Sequence, residues 1–209
     1  GGLRRYDLSL ALRKPQNVPM PMDWQSQLST CQDSAYIDTV SKITGESIPV
    51  LKDYYLNPRD PGDGGNHNHK AFSVLAYDDR IWVGTANGIN KGRIVEEITQ
   101  ISENEFEILS CIEWDHYKYP TNGISGNFVV ALGKQDWNGQ TTIWAATVGT
   151  GEVGEMQGLS YSRDDGVSWK TALIGERVYN IESKDSLVFV STSSGLWKSL
   201  DGENWAKLD

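Results

Sequence analysis

From residue 71 onward the chain alternates short apolar runs with clusters of turn residues. Three runs share one form: Ile81-Trp82-Val83-Gly84-Thr85, Ile143-Trp144-Ala145-Ala146-Thr147 and Val188-Phe189-Val190-Ser191-Thr192. Each is followed by a linker and then a glycine (Gly88, Gly158 or Gly195) that opens a second run, and each is preceded by another β-rich run at 71–78, 127–134 or 177–183. Short apolar or alternating runs bounded by turn residues predict strands. A closing strand is predicted at 105–112, 168–173 and 204–208. The segment 93–101, RIVEEITQI, comes nearest to a helical pattern, but its β-branched content and its place between strands predict a strand. Each unit is thus four strands in an antiparallel meander.

The starts of the shared runs are 62 and then 45 residues apart. The shorter spacing matches the roughly 40–50 residues of one β-propeller blade, and insertions at 113–124 and 148–157 account for the longer one. The predicted fold is an all-β propeller of four-stranded antiparallel blades at about 71–112, 125–173 and 177–209. Residues 1–70 do not align with the other units, and are expected to form an irregular segment holding a partial blade from runs at 6–12, 35–43 and 47–55. Three blades do not close a ring, which takes about four to eight, and an open half-ring exposes strand edges. The expectation is a larger ring, completed by further blades in a longer chain, by a partner chain or by a second copy.

The most specific sequence feature is a turn. Ser162-Arg163-Asp164-Asp165-Gly166-Val167-Ser168-Trp169 fits S-x-D-x-G-x-S/T-W, and Ser199-Leu200-Asp201-Gly202-Glu203-Asn204-Trp205 is the same device one residue shorter. An Asp here can accept hydrogen bonds from backbone N–H groups just ahead. Gly166 and Gly202 permit positive φ, and Trp169 and Trp205 can bury their rings between neighbouring blades. Turn stabilisation outweighs the alternative use of Asp164, Asp165 and Asp201, which is calcium binding.

These turns resemble the Asp-box, or bacterial neuraminidase repeat, of the sialidase-like propeller superfamily. The first unit's IWVGTANGINKG is similar instead to the repeats of two-component-regulator propellers and has no Asp-box. The resemblance implies that one face carries the hairpin and Asp-box turns, and that the other carries the ligand-binding connections. It does not extend to sialidase chemistry, because the Arg-Ile-Pro motif is absent and none of the eight arginines sits in the expected context. The superfold hosts many activities.

Composition narrows the functions. Nineteen basic against 28 acidic residues leave a net charge of −9, and no Lys/Arg cluster exceeds Arg4-Arg5. That argues against a nucleic-acid partner. No apolar run reaches the roughly 18 residues of a membrane-spanning helix. Cys31 and Cys111 are too few for a disulfide scaffold, and are read equally as one bridge or as buried thiols. The opening Gly-Gly-Leu fits a processed exported chain (secreted, periplasmic or cell-surface) or a fragment.

Candidate chemistry concentrates in two connections, 57–70 and 113–123, which together hold all three histidines. His67 and His69, two apart, point the same way in an extended strand, and with Asp63 they offer a divalent metal such as zinc or calcium a partial site. Against this stands a solvated loop whose histidines fill turns. Trp114, Asp115, His116, Tyr117, Tyr119 and Trp137 are candidates for ligand contact, with Glu152 on a glycine-rich rim loop at 148–158. The aromatics can stack on sugar rings or pack between blades; packing is favoured, with Trp114 and Trp137 as the exceptions. The sequence favours a non-catalytic binding or scaffold propeller that docks a protein or glycan. The alternative is a carbohydrate-active enzyme using two carboxylates drawn from Asp60, Asp63, Glu113 and Asp115.

Overall fold

Alternating β-branched and aromatic side chains fit a pleated, half-buried surface, and the apolar runs become strands. A computed structural model describes residues 2–5, 16–30, 36–40, 47–51, 67–102 and 105–208. The N-terminal strands are short: β1 (Arg4–Arg5) pairs with β2 (Gln16–Asn17), β3 (Gln27–Ser29) joins a later sheet, and β4 (Tyr36–Val40) pairs with β5 (Ser47–Leu51). After a 3-10 turn at His67–His69 come β6 (Ala71–Tyr77), β7 (Arg80–Thr85), β8 (Gly88–Ser102) and β9 (Glu105–Tyr117). These four form a meander with β3 on its outer edge. The second sheet is β10 (Phe128–Trp137), β11 (Gln140–Val148), β12 (Gly158–Ser162) and β13 (Lys170–Ala172). The third is β14 (Val178–Lys184), β15 (Leu187–Thr192), β16 (Gly195–Ser199) and β17 (Trp205–Leu208). Among the described residues the chain is all-β, with three antiparallel sheets of five, four and four strands besides the two short N-terminal pairs. No helix among the described residues is long and apolar enough to cross a membrane.

Segment 93–101 lies in the strand β8, as its composition predicts. The expected connection at 113–123 begins later, because β9 continues through Tyr117. The run at 6–12 lies outside the described residues, whereas the runs at 35–43 and 47–55 contain β4 and β5.

The sheets share three backbone devices. Each opens with a two-residue hairpin whose first residue (Asp78, Asn138 or Asp185) has a φ of 47°, 50° or 53°, a conformation that Asp and Asn tolerate. Each first strand slips register by one residue near its start, at Phe72, Val130 and Tyr179. Each second strand carries, at its last or next-to-last position, a Thr whose hydroxyl donates to the carbonyl of the glycine opening the third strand. These bonds are 3.0 Å from Thr85 to Gly88, 3.3 Å from Thr147 to Gly158 and 3.0 Å from Thr192 to Gly195. The Thr and Gly of the shared runs therefore close the same turn three times.

Strand alternation divides the core. Trp82, Ile89, Val129, Ile143, Ala145 and Trp169 fill the space between the first and second sheets. Between the second and third lie Trp144, Ala146, Leu159, Tyr161, Val178, Ile181, Val188 and Val190. On the far side of the first sheet Val18 and Met20 cover Val83, Ile112 and Trp114. Cys111, 1% exposed, is disulfide-bonded. The chain's other cysteine, Cys31, lies outside the described residues.

Trp144 is 1% exposed and Leu200 67%. Trp144→Ala is therefore expected to cost about 3–5 kcal/mol, and Leu200→Ala to stay within about 0.5 kcal/mol. Urea unfolding under non-reducing conditions measures both, and equal losses would contradict the core assignment.

Candidate functional site

The two Asp-turns lie at one end of the sheets. The Ser162 hydroxyl donates to Asp164 Oδ1 (2.8 Å) and accepts from the Gly166 N–H (2.8 Å). Asp164 also accepts from the Ser168 N–H (2.9 Å) and hydroxyl (2.5 Å). In the second turn Ser199 donates to Asp201 (3.0 Å) and accepts from the Gly202 N–H (2.8 Å). Asp201 accepts from the N–H groups of Glu203 (2.9 Å) and Asn204 (2.7 Å) and from the Asn204 amide (2.7 Å). Hydrogen bonds to an ionised carboxylate favour that form. The Ser168 hydroxyl and N–H accordingly hold Asp164 below the usual carboxylate range, and Asn204 does the same for Asp201. The carboxylate oxygens are engaged within their own turns.

Each turn also grips the preceding sheet. A Cβ on Gly166 would lie 3.0 Å from the Trp82 ring, and one on Gly202 2.5 Å from the Trp144 ring. Trp169 meets Trp82 edge-on at 6.1 Å, and Trp205 meets Trp144 at 6.0 Å. Lys91 reaches the Asp165 carboxylate and carbonyl, both at 2.8 Å, and Arg163 donates to the Asp201 carbonyl. Tyr117 is wedged between Trp82 and Trp169, 6.2 and 6.0 Å away. Burial, and then the charges of Asp115, Asp165 and Asp164, raise its phenol pKa.

At the opposite end the connections are more polar. His67 and His69 do not share a side, because the chain forms a 3-10 turn there instead of a strand. His67 is exposed; His69 is buried, its Nε2 2.9 Å from the Met20 carbonyl. Asp63 lies outside the described residues, and among those described no three His, Cys, Asp or Glu side chains gather around a metal position. His116 is 4% exposed, with Nδ1 2.8 Å from the Gln25 carbonyl and Nε2 2.6 Å from the Asn87 carbonyl. Both ring nitrogens thus face backbone carbonyls, and neither is turned toward a metal position.

Trp114, expected as an exposed platform, is 2% exposed in the core beneath Val18 and Met20, because β9 alternation turns it inward. Tyr119 packs on the core between the first two sheets, and its N–H donates to Asn127 Oδ1 at 2.8 Å. Trp137 is 51% exposed, but sits at the β10–β11 hairpin, away from the connections. Asp115 accepts from the Gln27 amide at 2.9 Å. It lies two residues from Glu113, which pairs with Arg93, along a cleft of about 480 Å³ where the five-stranded sheet extends beyond its neighbour. Glu152 is exposed on the rim loop.

Two organising residues escaped the sequence pattern. Asn68, fully buried, donates to the Pro21 carbonyl (2.7 Å), exchanges amide bonds with Asn90 (2.8 and 2.9 Å) and accepts from Thr85 (2.8 Å). In a Gly/Asn-rich run it reads as an ordinary turn residue. Glu155 accepts from the Asn127 N–H and from the N–H (2.7 Å) and hydroxyl of Thr150. With a Met156 N–H bond to the Ser125 carbonyl (2.9 Å), it fixes the glycine-rich rim loop. At the tip of that loop Val153 is 99% exposed, and Met156 is 50% exposed. Gly154 rests on the Tyr119 hydroxyl, and the neighbouring Lys118 donates to the Asp23 carbonyl at 3.0 Å. Next to Asp23, Trp24 is 72% exposed. One end of the sheets thus presents three exposed apolar side chains, Trp24, Val153 and Met156, on anchored loops.

Compared with protein-family models, curated proteins and solved structures, the chain matches none.

Asp164 and Asp201 have lowered folded pKa values. Their stabilising effect is complete above the unfolded value of about 4 and is lost as pH falls below it. Urea midpoints from about pH 6 to pH 2 are expected to decline on that limb, and Asp201→Asn to flatten it. An unchanged acid limb would remove the turns from the account. Glu155→Ala is expected to increase amide exchange at 150–157 without altering the three sheets; hydrogen exchange resolved by segment measures this.

Proposed function

We propose that the three sheets are consecutive blades of a β-propeller, and that the chain is a non-catalytic binding module of the extracytoplasmic space. It docks a partner protein on the end built from the 22–25 turn, the 118–127 connection and the 149–157 loop. The observation that carries this reading is Val153, 99% exposed on a loop that Glu155 holds in place. Apolar side chains on pre-ordered loops bind with little further entropic cost, and Met156 and Trp24 add exposed apolar surface at the same end. The shared hairpins, bulges and Thr–Gly bonds support blades as the repeating element. A disulfide at Cys111 supports an oxidising compartment.

The cleft with Glu113 and Asp115 favours a second reading, a glycosidase. Its carboxylates stand two apart on one strand, so they line one wall instead of facing each other across a substrate. The protein-docking reading explains more of the exposed surface.

Photo-cross-linking to intact source cells distinguishes the two. The expected result is one surface protein captured by the wild type, lost with Val153→Asp and retained with Trp137→Ala at the opposite end. Capture indifferent to Val153, or glycan-array binding in its place, would overturn the proposal. Nitrophenyl-glycoside turnover abolished by Glu113→Gln would establish the enzyme.

A further inference from the structure

The contact that joins the sheets has a definite receiving surface. In the first sheet Trp82 on β7 lies directly across from Lys91 on β8, and Gly84 across from Ile89. Lys91 sits over the Trp82 ring at 5.8 Å and reaches Asp165 in the next turn. In the second sheet the same positions are Trp144 across from Tyr161 and Ala146 across from Leu159. There the Tyr161 hydroxyl donates to Glu203 of the next turn at 3.4 Å. In both sheets an aromatic and an aliphatic residue receive the glycine and tryptophan of the following turn, while a polar head at one fixed position meets an acidic residue beside that glycine, Asp165 before Gly166 for Lys91 and Glu203 after Gly202 for Tyr161.

The third sheet repeats this surface with nothing described on it. Phe189 lies across from Lys198, and Ser191 across from Leu196, in the register of the first two sheets. Leu208 extends the apolar strip across from Leu196. Leu196 is 42% exposed, Phe189 and Leu208 are half-buried, and Lys198 is exposed with no ion pair among the described residues. Neighbouring Val188 and Val190 are spent on the second sheet, so the strip belongs to the opposite face.

We infer that the outer face of the third sheet, centred on Phe189, Leu196 and Lys198, docks a further antiparallel sheet through a turn with an acidic residue before its glycine and a tryptophan three residues after it. The acidic residue pairs with Lys198 as Asp165 does with Lys91. The tryptophan meets Phe189 edge-on, as Trp169 meets Trp82. A second copy of this chain is not the occupant, because its two such turns are already seated on Trp82 and Trp144. The occupant is a sheet of a partner polypeptide that carries such a turn, its acidic residue complementing Lys198. This deepens the propeller reading and rests on it for the direction of the row, but the face itself follows from the register.

The test extends the chain. Leu208 occupies the place of Tyr117, since each lies across from the equivalent residue, Leu196 or Ile89. A copy of residues 118–173 is therefore joined after Leu208, and a second design joins a copy of 173–208. Among the described residues no cysteine is free, so Leu196→Cys supplies a reporter thiol for maleimide labelling without reductant, read against the unsubstituted chain as background. In either extended chain, labelling is expected to slow about tenfold or more, because a covered thiol reacts only through local opening. It is expected to recover when the added turn's tryptophan is changed to Ala. Unchanged labelling in both extensions, with circular dichroism showing the added strands formed, would overturn the inference. Small-angle scattering separates it from the propeller reading: a protected thiol in a straight row keeps the docking face and rejects the ring, whereas a free thiol in a curved row rejects the docking face alone.

Discussion

The tertiary structure hangs on one contact made twice: a tight acidic turn pressed onto a tryptophan of the preceding sheet. Gly166 and Gly202 can sit against Trp82 and Trp144 only because they lack a Cβ, and they adopt φ values of 88° and 79°. The serine and aspartate of each turn hold the backbone in that shape through their own hydrogen bonds. The tryptophan closing the turn then meets the first ring edge-on, an arrangement that favours aromatic pairs by about 0.5–1.5 kcal/mol beyond the area they bury. Local backbone chemistry and sheet stacking are therefore a single event. A turn that loses its shape loses its seat on the neighbouring sheet.

That constraint also sorts the polar residues. Groups near the turns work between sheets, as with Lys91 on Asp165 and Arg163 on the Asp201 carbonyl. At the other end polar groups work within connections, where Asn68, His116 and Glu155 satisfy wholly or partly buried backbone groups of Pro21, Asn87 and Asn127. Of the histidines that look chemically active along the sequence, His69 and His116 are consumed in holding connections. What stays available is apolar and exposed, Trp24 and Val153.

The sequence by itself determined the strands, their order and the chemistry of their turns. Those features depend on neighbours a few residues apart: alternation for the strands, Asp or Asn at the positive-φ hairpin positions, and Ser-x-Asp-x-Gly for the Asp-turns. The strand character of 93–101 was legible for the same reason. The tertiary structure alone decided which face of each strand is covered. Trp114 was expected outside and lies under Val18 and Met20, nearly a hundred residues earlier in the chain. His67 and His69 diverge because their backbone turns to bring Asn68 to Asn90. Glu155 is inconspicuous among the glycines of its loop until Asn127 and Thr150 are placed beside it. Burial and hydrogen-bond partners are properties of distant pairs, and no local pattern of residues encodes them.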